Sequence, residues 1–160
     1  MPHEGMSDLI RFLRAQFALD WEGIHGMRHW TRVRENGLLL ADRTGADARV
    51  VELFAWIHDS KRRNDGHDPE HGPRAARFAK TLAGTLFDLD PAGLEHLVTA
   101  CHGHSDGSFD GDVTVLTCWD ADRLDLGRVG IRPRAPRLCT EAARDPAVLE
   151  WAYRRSLESA

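Results

Sequence analysis

Leu53-Phe54-Ala55-Trp56-Ile57 runs directly into His58 and Asp59, and that junction limits what the chain can become. Five consecutive apolar residues belong to a buried element, so the imidazole and carboxylate that close the run lie at the edge of a core. Polar groups there cost free energy unless each has a partner. A divalent cation would satisfy both. With Asp47 as a side-chain cap and Val50, Val51, Leu53, Phe54 and Ile57 inward, the segment predicts a helix that delivers His58 and Asp59 near its C-terminal end.

Further candidate ligands are spread along the chain. Nine histidines occur in 160 residues, and eight of them fall between His25 and His104. Surface decoration would not explain why one of them closes an apolar run. His25, His29, His67, Asp68, His71, His102 and His104 stand as candidates, with Asp120, Asp122 and Asp125 further on. Asp120 and Asp122 are two residues apart, so at about 100° per helical residue they point some 200° apart and cannot both face one site. Asp122 shares the side of Val115, Cys118 and Leu126, which selects it. Asp120 then reads as an acceptor one layer out or a surface charge. His3 and His96 carry no assigned role.

Helical periodicity accounts for most of the chain, with Gly127 to Thr140 reading as an irregular segment. Ser7-Asp8 offers a cap for a first helix to about Leu19; residues 27–44 form a second that stops at Gly45; Asp68-Pro69 opens a fourth, regular from about Pro73. Asp90-Pro91 opens a fifth with the stripe Leu94, Leu97, Val98, Cys101, followed by a loop through His102 and His104. Asp112 caps a sixth through about Leu126, and Asp145-Pro146 starts the last. No strand alternation appears. The expectation is an all-α chain, a compact bundle of about six to seven helices in one domain over residues 1–160, its core spanning about 20–130 with the C-terminal loop and helix packed on it.

His29 in His-x-x-Arg-Val, then His58-Asp59, then Asp122 in Ala-Asp-Arg-Leu follow one another in order. In these residues the chain resembles the HD-domain metal-dependent phosphohydrolases over roughly residues 20–130. The resemblance implies that His29, His58, Asp59 and Asp122 ligate a divalent metal, with His71 and His104, or His102 beside it, as possible ligands of a second. The Gly between His102 and His104 leaves that loop flexible, which favours one ion. Two imidazoles and two carboxylates suit Mn²⁺, Fe²⁺, Co²⁺, Ni²⁺, Zn²⁺ or Mg²⁺, and the absence of Cys pairs argues against a closed structural zinc site.

The implied activity is hydrolysis of a small phosphorylated metabolite by metal-activated water, a nucleotide being the family-level expectation. Asp59, or Asp120 through a water, is the candidate base. Lys61, Arg62 and Arg63 follow the doublet at once and Arg128 lies beyond the Asp122 helix, so all four are assigned to substrate phosphate; His25, a turn before His29, joins them. Two other readings share the scaffold: an HD-type diiron oxygenase, which needs the full six-ligand set, and a metal- or nucleotide-binding module without turnover. A formal charge of −4 argues against nucleic-acid polymers and anionic membranes as partners. Cys101, Cys118 and Cys139 read as reduced core thiols. With no apolar run of the ~20 residues that span a bilayer, the expected location is the cytoplasm.

Overall fold

The computed structural model describes residues 4–158, so His3 lies outside them. Eight helices occur among these residues: α1 Glu4–Gln16, α2 Met27–Thr44, α3 Ala48–Ile57, α4 His71–Leu82, α5 Pro91–Gly103, α6 Val113–Arg123, α7 Glu141–Arg144 and α8 Pro146–Ser156. Two 3-10 turns, Leu126–Val129 and Ala135–Arg137, join α6 to α7. No β-strand is present among the described residues, only an isolated bridge between Ala83 and Phe87. The chain is all-α, with the four-residue α7 beyond the expected set. No helix of the described residues is long and apolar enough to cross a membrane.

Local chemistry sets the helix boundaries. Carboxylates of Asp47, Asp90, Asp112 and Asp145 accept backbone N–H groups of Val50, Gly93, Thr114 and Ala147 at the starts of α3, α5, α6 and α8. Such a cap contributes about 1 kcal/mol. Gly45, at φ 78°, ends α2 in the left-handed region and donates to the Ala41 carbonyl.

Three boundaries differ from expectation. α1 is under way by Glu4, so Ser7 and Asp8 are inside it and cap nothing. Asp68 does not cap α4, because its carboxylate receives the Arg74 guanidinium at 2.6 Å and the Arg63 amide at 2.7 Å. α4 begins at His71, and Pro73 falls in its first turn, where a missing N–H costs nothing. Finally, α5 continues through His102 to Gly103 where a loop was expected.

α3 is the central element. Seven of its ten residues, Val50, Val51 and Leu53 through Ile57, are buried against α1, α2, α5 and α6. α2 closes on it at Gly37, where a Cβ would collide with the Val51 side chain. Trp30, Leu97, Cys101, Val115 and Cys118 complete this core. A second cluster of Leu40, Leu124, Leu138, Ala143, Val148 and Ala152 seats α7 and α8 on α2 and α6. Cys101 and Cys118 are buried free thiols. The consequence for chemistry is positional: the C-terminal ends of α3 and α5 and the N-terminal end of α4 meet beside α2 and α6.

Candidate metal centre

Four imidazoles are fixed through their Nδ1 atoms. His58 Nδ1 donates to the Phe54 and Ala55 carbonyls at 3.0 and 3.1 Å, and His104 Nδ1 to the Cys101 carbonyl at 2.7 Å. These carbonyls belong to the last turns of α3 and α5, where helix ends leave carbonyls short of backbone donors, although Phe54 O also receives the His58 backbone N–H at 2.9 Å. His71 Nδ1 donates to the Asp68 carbonyl at 2.5 Å, and His29 Nδ1 to the Asp125 carboxylate at 2.7 Å. With each proton on Nδ1, all four Nε2 atoms present lone pairs.

Those lone pairs face other acceptors. His29 Nε2 lies 3.1 Å from His58 Nε2, 3.1 Å from Asp59 Oδ2 and 3.2 Å from Asp122 Oδ1. His58 Nε2 is 3.4 Å from each of the same two carboxylate oxygens. On the other side of Asp59, Oδ1 is 3.3 Å from His71 Nε2 and 3.4 Å from His104 Nε2, which are 2.8 Å from each other. Asp122 Oδ1 is buried without a hydrogen-bond partner, although two ring nitrogens are within 3.4 Å. Lone pairs directed at lone pairs in a dry core are repulsive, and cations reconcile them.

The spacing fits that requirement. An ion held at about 2.0–2.1 Å from each donor separates neighbouring donors by ~2.8–3.4 Å in octahedral or tetrahedral arrangement. Two sets meet the condition, His29, His58, Asp59 with Asp122, and Asp59, His71, His104, and Asp59 offers one oxygen to each. The negative ends of the α3 and α5 macrodipoles also point here, which favours positive charge.

Protons compete for the same place. Burial and the Arg128 charge oppose a charged His29, but Asp122, Asp125 and Asp59 outweigh them and raise its pKa to about 9. Burial opposes ionised Asp59 and Asp122 too, and is outweighed by His58 and the neighbouring imidazoles, so both carboxyls are held well below their ordinary range. The cluster keeps its carboxylates ionised and takes up positive charge.

The structure brings His29, His58, Asp59, Asp122, His71 and His104 together and leaves out others. His102 is exposed on the last turn of α5, so His104 supplies that nitrogen. It is not on a flexible loop, because the Cys101 carbonyl fixes its ring. Asp120 requires a correction: its carboxylate accepts from Cys139 N, Thr140 N and Thr140 Oγ1 at 2.7–2.8 Å, which turns it away from the centre and commits both oxygens. A role as base through water does not fit that geometry. His67 is exposed on the loop.

Among the residues expected at substrate, placements also differ. His25 precedes the Gly26 cap of α2, so it does not stack on His29 by helical spacing; its ring sits edge-on at 6.4 Å and its Nδ1 meets Asp65 at 2.8 Å. Arg62 Nε reaches Asp59 Oδ1 at 3.3 Å, and its Nη1 holds the Asn64 and Gly66 carbonyls. Arg128 donates to the Ile24 and Asp125 carbonyls, clamping the segment before α2. Lys61 and Arg63 line a cleft on the outer side of α4 that none of the six ligands lines.

Asp125, one of the candidate ligands, instead stands behind one. It is fully buried, and between its two oxygens it receives His29 Nδ1 and Arg32 Nε, at 2.7 and 2.6 Å. Its signal in the sequence was its spacing, three residues after Asp122 and so on nearly the same helical face.

A helical scaffold whose core directs four imidazole lone pairs and two carboxylates at one another could hold metal ions. No family model matches the chain, and no curated protein matches it. It is similar to a solved structure, the crystal structure of a predicted HD superfamily hydrolase from an uncultured Thermotogales bacterium, with a TM-score of 0.71 and 28% identity over 93% of this chain and 85% of that one. That likeness supports the resemblance to the HD-domain superfamily read from the sequence.

Proposed function

We propose that this protein is a metal-dependent phosphohydrolase acting on a small, soluble phosphorylated metabolite. One observation carries the reading: two donor sets of imidazole and carboxylate share Asp59 as a common member. When bound there, divalent ions lower the pKa of water and polarise a phosphoryl oxygen. His29, His58, Asp59 and Asp122 would hold one ion, and Asp59, His71 and His104 a second. The four imidazoles favour a transition ion over Mg²⁺.

The chain's own residues supply position and proton transfer. Asp59 is 3% exposed at its side chain and has both oxygens facing imidazoles, so it would serve both donor sets. Asp122 is 15% exposed, and with Oδ1 buried that exposure falls elsewhere on the side chain. We therefore assign proton acceptance from the attacking water to Asp122. The water oxygen bonds to phosphorus as its proton passes to Asp122, the ester P–O bond breaks, and the leaving alkoxide takes that proton back from Asp122. Arg62 holds Asp59 in register, and His25, tied to Asp65, stands beside His29 as a substrate contact.

Metal analysis followed by a phosphate-release screen over nucleotides and sugar phosphates tests the proposal. Release that depends on added ion and disappears in Asp59→Ala supports it; none over all substrates and ions sinks it. A second reading is favoured by the assembled His71–His104 pair: a diiron oxygenase with the same six ligands. Two irons per chain with O₂ uptake and no phosphate release would select it.

A further inference from the structure

Lys61 and Arg63 leave the metal centre for a cleft of about 420 Å³ between the end of α1, the turn after α3 and the outer face of α4. Ten residues line it: five cations, Lys61, Arg62, Arg63, Arg74 and Arg77, and five neutral residues, with no carboxylate. That is a marked excess in a chain of net charge −4. Its volume lies within the ~300–1,000 Å³ of small-molecule sites.

The five cations are not equivalent. Arg74 is neutralised by Asp68 at 2.6 Å, and Arg62 divides its donors between Asp59 and two loop carbonyls. Arg63 and Arg77 make no side-chain hydrogen bond or ion pair among the described residues and are exposed. Lys61 lies over the Phe78 ring at 4.1 Å. Three cations gathered on one concave surface repel one another, and an anion relieves that repulsion. One phosphate would meet one or two of them. The full arc suits a longer anion.

We propose that this cleft is a binding site for a small molecule carrying two or more linked phosphates, separate from the metal centre. Guanidinium forks match phosphate oxygens, and Lys61 adds a point charge on an aromatic floor. Arg62 connects the two places, since it lines the cleft and touches Asp59 Oδ1 at 3.3 Å. A phosphate drawn to Arg62 loosens its hold on the shared carboxylate, so occupancy of the cleft is felt at the centre. The ligand is either the distal phosphates of the substrate itself or a free oligophosphate effector.

Calorimetric titration of the full chain, stripped of metal on a chelating resin, with inorganic tripolyphosphate tests this without turnover and so independently of the phosphohydrolase reading. The expected result is saturable one-to-one binding, weakened about tenfold by Arg77→Ala and again by Lys61→Ala, and unchanged in His96→Ala, which lies outside the cleft and the metal centre. Arg77 is exposed and Lys61 half-buried, and circular dichroism checks that both variants fold. Absence of binding up to millimolar tripolyphosphate overturns the proposal, as does full affinity in the Lys61→Ala/Arg77→Ala variant. Affinity that climbs with oligonucleotide length would assign the cleft to a polymer and also overturn it. In the metal-loaded protein, hydrolysis of tripolyphosphate with a KM raised by Arg77→Ala identifies the substrate's own phosphates. A changed kcat for a monophosphate ester on adding tripolyphosphate identifies an effector.

Discussion

Asp120, Asp122 and Asp125 lie within two helical turns, and three different sets of partners give them three different roles. Asp120 anchors the Cys139–Thr140 backbone, Asp122 faces two imidazoles, and Asp125 holds the back of one of them. Asp122→Asn should therefore abolish phosphate release with the fold intact. Asp120→Asn should lower stability by about 2 kcal/mol, since a buried carboxylate that serves three donors becomes a poorer acceptor, yet bind metal normally in a stoichiometry assay. Asp125→Asn is expected to weaken metal affinity by roughly 10–100-fold, because a carboxylate behind a ligating imidazole sets its tautomer and basicity. Competition against a chromophoric chelator measures it, and unchanged affinity would show that Asp125 serves Arg32 alone. His58→Ala should lose the ion, whereas His96→Ala, at a partly exposed ring 3.7 Å from Asp112, should keep it.

At the scale of the element, the centre depends on three helix ends meeting. α4 approaches α5 so closely at Gly72 that a Cβ would fall 2.7 and 2.8 Å from the His102 and Cys101 carbonyl oxygens. Backbone cannot yield as a side-chain tip does, so Gly72→Ala should push α4 outward and separate His71 from His104. Metal stoichiometry near two per chain should fall to one in this variant, as in His71→Ala, with the His29–His58 set retained; two ions in both variants would contradict it. The helices themselves were largely legible beforehand, because Asp47, Asp90, Asp112 and Asp145 are self-contained caps and Gly45 a self-contained stop. His29, His58, Asp59 and Asp122 were legible for a related reason: each closes or interrupts an apolar pattern. What escaped was set by tertiary contact. Only the Cys101 carbonyl and the extension of α5 decide His104 over His102, and only the 137–140 segment shows what Asp120 is for. The turn after Asp59 likewise sends Lys61 and Arg63 to the outside, although adjacency had put them beside the doublet.

Across the whole molecule, the buried cluster ties stability to pH. His29 has its pKa raised from 6.5 to about 9 by Asp122, Asp125 and Asp59 against burial and Arg128. A group raised on folding contributes stability that is fully present below its unfolded pKa and is lost as pH rises through its folded pKa. The metal-free protein should therefore be most stable near pH 6 and lose stability progressively between 6.5 and about 9. Asp59 and Asp122 work in the opposite sense. Their pKa values are depressed, so their contribution is present above the ordinary carboxylate range and declines as acid protonates them. A divalent ion takes the place of the His29 proton, and its affinity rises as that proton is lost. Thermal unfolding at pH 6, 7.5 and 9, with and without added Mn²⁺ or Co²⁺, separates these effects. The melting temperature of stripped protein should fall across the series while that of the loaded protein holds or rises, so the gap between them widens with pH. Parallel curves would show that ion and proton do not compete for one place, and would break the link between the converging Nε2 lone pairs and metal binding.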